Sequence, residues 1–230
     1  MTVFLVLFVL IVISYSFLLY DLITGWDKLE VSQNNGTPVF ISVIIAARNE
    51  EKNITQTLNA LVEQSYPSRY FELIIVDDAS DDSTAEIIRS YCAEYPHFRL
   101  ISFKEHKGKK AAIDFAIKQA SGSLIVQTDA DCFPNNQWLE IIANEYSVEP
   151  AQMIIAPVLM EYKNIFEGMQ ALDFLSLMAS GMALAGLNKP IMNNAANLTF
   201  EKEAYLSLKN PNNQDVVSGD DVFFLLSLKR

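Results

Sequence analysis

The chain is short of cysteine and histidine, with two of each in 230 residues. Cys92 and Cys132 lie 40 residues apart with no second Cys or His at metal-ligand spacing. That excludes a disulfide framework and fits a reducing compartment, where free cysteines act as small buried hydrophobes. Basic residues are also scarce: 17 Lys and Arg face 28 Asp and Glu, for a net charge of -11. With no basic face or stripe to neutralise phosphates, nucleic acid is excluded as a partner. Repeats and low-complexity tracts are absent. The glycines form neither a Walker loop nor a dinucleotide fingerprint. None makes a glycine-rich loop after the first apolar strand, which sets aside a nucleotidyltransferase on a related α/β sheet. Half of the residues are apolar, a composition for one substantial domain, alone or with an appendage.

Among what is present, the N-terminus stands out. Val3 to Tyr20, "VFLVLFVLIVISYSFLLY", carries no charge and only two serines, just long enough for the roughly 20 residues of a bilayer span. No Lys or Arg precedes the run and Tyr20-Asp21 follows it, unlike the basic start and small-residue cleavage site of a signal peptide. The expectation is an uncleaved transmembrane anchor over residues 1–23, ahead of a signal peptide or a buried helix. Lys28 is the one basic residue nearby, so orientation is weakly specified. Residues 24–38, with "SQNNGTP", read as a linker.

From residue 39 onward apolar runs of two periods alternate. "VFISVIIAA" (39–47), "FELIIVDD" (71–78), "FRLISF" (98–103) and "SLIVQT" (123–128) are β-branched runs suited to buried strands. Between them, residues 50–65, 81–95 and 109–121 carry helical spacing. Strand and helix in alternation predict an α/β fold with a mostly parallel central sheet flanked by helices. Ligands of such sheets bind beyond the carboxyl ends of the strands. Farther on, 135–148 reads as a helix and 151–160 as a strand. The apolar stretch 166–187 reads as a second membrane span or as a buried or interfacial helix; Asp173 favours the latter, being costly in lipid.

The predicted strand ends carry acids: Asp77, Asp78, Asp129 and Asp131. Carboxylates on one sheet edge repel unless a cation sits among them. Mg²⁺ or Mn²⁺, held by one or two carboxylates and completed by a substrate's phosphates, suits this composition. Asp-x-Asp by itself is common, and a solvated turn with helix N-caps, as at Asp81 and Asp82, is the plainer reading. "HKGKKAA" opens a predicted helix with Lys107, Gly108, Lys109 and Lys110, either a solvated basic turn or a contact for phosphate.

Five segments in order, "SVIIAARNEEKNI", "LIIVDDASDDST", "HKGKKAAIDFAI", "GSLIVQTDAD" and "SGDDVFFL", make the chain resemble the family 2 glycosyltransferases over about residues 39–225. The resemblance implies the A-type nucleotide-sugar-binding (GT-A, Rossmann-like) fold after one N-terminal transmembrane helix. It implies a glycosyltransferase domain over 39–230 with its catalytic part on the cytoplasmic side of a membrane. Ala46, Arg48 and Glu50 match the base and ribose pocket, Asp78 the residue holding uracil, and Lys109 the lysine near the donor. Asp129 and Asp131 match the DxD metal motif for Mg²⁺ or Mn²⁺, Asp131 as the direct ligand and Asp129 facing the donor. Asp221 matches the general base, with Asp220 beside it, and Asn197 matches a donor or acceptor contact.

The activity implied is inverting, metal-dependent transfer of a sugar from a nucleotide-sugar, of the UDP-sugar kind, to a hydroxyl. Its acceptor is a glycan or lipid-linked glycan at the membrane, as in polysaccharide or cell-envelope glycan synthesis. Two departures bear on this. The Gln/Arg-x-x-Arg-Trp motif and later membrane helices of the family's polymer synthases do not follow "GDD", which reads as a C-terminal truncation. Arg48 stands where the family often has an aromatic residue. The competing reading is a nucleotide-sugar-binding pseudoenzyme or inactive fragment.

Overall fold

The computed structural model describes residues 2–29, 36–208 and 220–229. The chain divides into two compact units, each made of two segments: Met1–Val31 with Pro157–Asn193, and Ser32–Ala156 with Asn194–Arg230.

The larger unit is built on a six-stranded sheet of order β3-β2-β1-β4-β6-β5. Strands β1 (Ile41–Ala47), β2 (Phe71–Asp77), β3 (Phe98–Ser102) and β4 (Leu124–Asp129) are parallel neighbours, as their alternation with helices requires. β6 (Leu198–Glu201) runs antiparallel to β4, and the short β5 (Met153–Ile155) pairs with β6, so the sheet is mixed but mostly parallel. The strand read over 151–160 is therefore only three residues long. β6 emerges from "NNAANLTF", a segment with no strand pattern of its own.

Side chains of a strand alternate between faces, and the sheet has a core on each side. Val43, Ile45, Leu73, Ile75 and Val126 pack with α2 (Ile54–Val62), α3 (Thr84–Glu94) and α5 (Trp138–Val148) through Ile54, Leu58, Ile88, Leu139 and Ile142. Ile44, Ile74, Val76 and Ile125 pack with α4 (Lys109–Gln119) through Ala112, Ile113, Ala116 and Ile117. Phe200 and Phe224 join this second core, from β6 and α8 (Asp220–Leu228), while Tyr205 joins it from α7 (Lys202–Ser207).

One glycine of this unit has no room for a side chain. A Cβ on Gly122 would lie 2.7 Å from Ser42 N and 2.8 Å from Phe40 O, and its own N–H donates to Ser42 Oγ at 2.8 Å. Backbone atoms cannot move aside as a side chain tip can. Gly122→Ala should therefore destabilise the unit by about 1–3 kcal/mol, the usual range for overpacking, read as an earlier midpoint in urea unfolding.

The smaller unit contains α1 (Thr2–Trp26) and α6 (Ile165–Gly186). α1 is the one helix among the described residues long and apolar enough to cross a membrane. The side chains of Ser16 and Thr24 satisfy their hydroxyls on the helix's own carbonyls, Val12 O and Tyr20 O, each at 2.8 Å. α6 buries Met178, Gly181 and Ala183. Its earlier turns expose Ile165, Phe166, Met169 and Leu172, so burial does not hold along its whole length. The two helices meet backbone to backbone. A Cβ on Gly25 would fall 2.0 Å from Ala183 O, and one on Gly186 would fall 2.2 Å from Gly25 O.

Candidate active site

The register of the sheet brings the strand ends level. Ala46 pairs with Val76 on one side and with Asp129 on the other, while Ala47 pairs with Asp77. The residues that follow these strands therefore leave the sheet along one edge. There they enclose a cleft of about 300 Å³ lined by Ala46, Ala47, Arg48, Glu50, Asp78, His106, Lys109, Asp129 and Asp131.

Sharp turns aim these residues. Asn49 and Ala79 both have φ of 57°, rare for residues with a side chain, and they reverse the chain just after β1 and β2. The two turns are tied together. Glu50 N–H donates to Thr84 Oγ1 at 2.8 Å, Asp81 N–H to Asn49 Oδ1 at 2.9 Å, and Glu51 N–H to Asp82 Oδ2 at 3.2 Å. Asp82 also accepts from Thr84 N–H at 3.0 Å, but the N-cap of α3 is Ser83, so neither Asp81 nor Asp82 is the N-cap expected of them. The turn after β4 is held from beneath, where the buried Thr57 of α2 donates to Ala130 O at 2.6 Å.

Asp78 organises one wall. Its side chain is only 4% exposed. It accepts from Lys107 N–H at 2.7 Å on one oxygen, and from Gly108 N–H at 2.8 Å and His106 Nδ1 at 2.7 Å on the other. Burial alone would raise this carboxyl. The two backbone N–H groups and His106 outweigh it and hold the pKa below the ordinary aspartate value. Asp78 is thus ionised, and a carboxylate can only accept, so His106 carries its proton on Nδ1. Gly108, at φ 91°, takes a backbone conformation that disfavours any side chain, and α4 begins at the next residue. The clamp from Asp78 therefore fixes where Lys109 starts.

The opposite wall carries the paired acids. Asp129 is the last residue of β4, half-buried, and Asp131 is exposed in the turn that follows. Lys109 Nζ lies 2.6 Å from Asp129 Oδ1. Among the described residues no three His, Cys, Asp or Glu side chains gather around one point. The oxygen donors at this wall are two carboxylates. That is the set for a hard divalent cation that keeps its remaining positions for water and phosphate oxygens, and the residues present fit such an ion.

Three expected positions remain, Asn197, Asp220 and Asp221. Asn197 does not line the cleft; its Oδ1 accepts from Trp138 Nε1 at 2.9 Å. Asp220 and Asp221 begin α8, but their side chains lie outside the described residues. Sequence reasoning passed over Ala47 and His106. The signal for His106 was a ring nitrogen two residues ahead of the glycine of a motif already singled out for its lysines.

Known proteins resemble this chain in sequence and in fold. The sequence model for glycosyl transferase family 2 matches residues 42–211. Glycosyltransferase AglE of Haloferax volcanii is 41% identical over 101 residues, 44% of this chain and 33% of that protein. The human dolichyl-phosphate beta-glucosyltransferase is 32% identical over 127 residues, 50% of this chain and 39% of that one. This chain thus spans well under half the length of these two relatives. Among solved structures, a Pyrobaculum calidifontis mannosyltransferase in complex with GDP-Man and Mn²⁺ has a TM-score of 0.69 at 23% identity, over 90% of this chain and 57% of that one. TarS of S. aureus (residues 1–349) in complex with UDP gives 0.65 at 21% identity, over 82% and 55%. These likenesses are of fold, and the fold is the GT-A type.

Proposed function

The chain belongs to glycosyl transferase family 2, and on that premise we propose that it transfers a sugar from a nucleotide-sugar, of the UDP-sugar kind, to a hydroxyl group. The acceptor is a glycan or lipid-linked glycan at a membrane, and transfer inverts the anomeric centre. One observation supports this reading above the rest: a single cleft at the carboxyl edge of the sheet joins Arg48, Glu50 and Asp78 to Lys109, Asp129 and Asp131. Carboxylates able to hold a cation and polar side chains beside a tight turn, all in one cleft, suit the chemistry of a nucleoside diphosphate.

In this reading the base and ribose lie against Ala46, Arg48 and Glu50, with Asp78 fixing the loop beside them. Asp131 would hold Mg²⁺ or Mn²⁺ directly, and Asp129 would share it or face the donor. When bound, the ion neutralises the charge that builds on the departing diphosphate. Lys109 adds a second positive charge at the start of α4, where helix N–H groups also favour phosphate. Asp221, with Asp220 beside it, accepts the proton of the acceptor hydroxyl as that oxygen attacks from the face opposite the diphosphate. Asn197, bonded to Trp138, serves the site from outside the cleft by shaping the segment that leads into β6. In this reading the N-terminal helix anchors the protein in a bilayer with the transferase domain on the cytoplasmic side, a compartment that suits two free cysteines.

The test is release of nucleoside diphosphate from UDP- and GDP-sugars by the detergent-solubilised protein with Mn²⁺ and a lipid-linked or glycan acceptor. Release is expected with one donor class and should fall to background when a chelator removes the metal. Release undiminished by chelation would refute the metal-dependent reading.

A further inference from the structure

We propose that Lys109 is a built-in counter-ion of the metal-binding carboxylates: it occupies Asp129 while no donor is present and passes to the diphosphate when donor and divalent cation arrive together. This rests on the donor-site reading above and adds to it a coupling between its two ligands.

The contact is direct, 2.6 Å from Lys109 Nζ to Asp129 Oδ1, between a half-exposed ammonium and a carboxylate whose side chain is 28% exposed. Four carboxylates, Glu50, Asp78, Asp129 and Asp131, line one cleft. Asp78 is already satisfied by the loop it clamps. Glu50 accepts from Asn53 Nδ2 at 2.9 Å; Arg48 and Lys109 are the cationic side chains described in the lining, and Lys109 is the one that reaches Asp129. Lys107 is turned away, its Nζ 4.9 Å above the ring of Phe103.

Lys109 also stands where a cation is poorly placed in its own helix. It is the first residue of α4, at the positive end of the helix dipole. Its pairing with Asp129 offsets that position, and an incoming phosphate would offset it equally well. A divalent ion arriving alone must share Asp129 with the ammonium or displace it into the same unfavourable spot. A diphosphate arriving with the ion gives both cations a new partner. Metal and nucleotide therefore assist each other's binding, and by linkage each raises the other's affinity by the same factor.

Lys109→Met keeps the stem and removes the charge, so the two affinities should move in opposite directions. Mn²⁺ alone, titrated by the electron paramagnetic resonance of the free ion, should bind about tenfold more tightly than in the parent, a typical coupling factor. UDP or GDP titrated by calorimetry in saturating Mn²⁺ should bind about tenfold more weakly, by the same factor. Lys109→Arg should sit close to the parent in both titrations. Unchanged or weakened binding of Mn²⁺ alone by Lys109→Met would overturn the counter-ion role. So would undiminished binding of the nucleotide with Mn²⁺. A parent protein that binds neither UDP nor GDP with Mn²⁺ would overturn the donor reading itself, a result distinct from a parent that binds them without the reversal.

Discussion

Asp131→Ala should lose binding of UDP or GDP in the presence of Mn²⁺ while its melting temperature stays at the parental value. The two halves of this result have separate causes. Asp131 is exposed in the turn after β4, and the contact described for its side chain is a distant one, 4.0 Å from Cys132 Sγ. Deleting it removes no packing and relieves repulsion between neighbouring acids. The turn is held instead by Thr57 on Ala130 O, which the substitution leaves in place. As the proposed direct ligand, however, Asp131 should matter more than the outer partners of a metal, whose loss costs roughly 10–100-fold. A fall of about a hundredfold or more in nucleotide affinity with Mn²⁺ is therefore expected by calorimetry. Parental affinity in this variant would remove Asp131 from the metal site. Asp129→Ala is a less clean probe, because it also releases Lys109.

The second large effect belongs to turnover. Asp221→Asn keeps the shape of the side chain and removes its ability to take a proton. General-base catalysis is worth about 10²–10⁴-fold, so sugar transfer should drop by that factor while UDP binding with Mn²⁺ changes little. This split between rate and affinity separates an enzyme from a protein that binds nucleotide-sugars without consuming them. Loss of both together would instead mark Asp221 as part of the donor pocket, and unchanged transfer would move the base elsewhere, with Asp220→Asn the next variant to assay. A parent that binds donor and never transfers would favour the pseudoenzyme.

The parallel part of the sheet was legible because β1, β2 and β4 are buried on both faces and rich in β-branched residues. The acids at their ends were legible for the same reason: a carboxylate directly after such a run has one edge to go to. The helix starts read at 50, 81 and 135 were three or four residues early, while α4 begins at 109 as read. The span from 50 gave up its first four residues because Asn49 reverses the chain and Glu50 to Asn53 form a turn before α2 begins. β6 had no local signal. It is a strand because β4 and β5 offer it partners on both sides, a property of distant residues. The work of Asp78 was hidden likewise. The resemblance to a known family assigns it to uracil, yet its oxygens are engaged by a loop 28–30 residues later, and nothing in "VDDAS" announces that. Nor does the sequence reveal that Gly25 must be glycine, since the carbonyl it touches belongs to Ala183.

That contact between α1 and α6 bears on the order of events at the ribosome. The two helices belong to one compact unit, yet about 140 residues separate Trp26 from Ile165, and most of the sheet is encoded between them. At roughly 5–20 residues per second, α1 leaves the exit tunnel about 7 to 28 seconds before its partner exists. Throughout that interval its apolar surface has only lipid or a chaperone to cover it, while β1 to β4 can already assemble. If α1 is the membrane anchor proposed above, the nascent chain reaches the bilayer well before its helix pair can form, so a defect at Gly25 should surface only after β1 to β4 have been made.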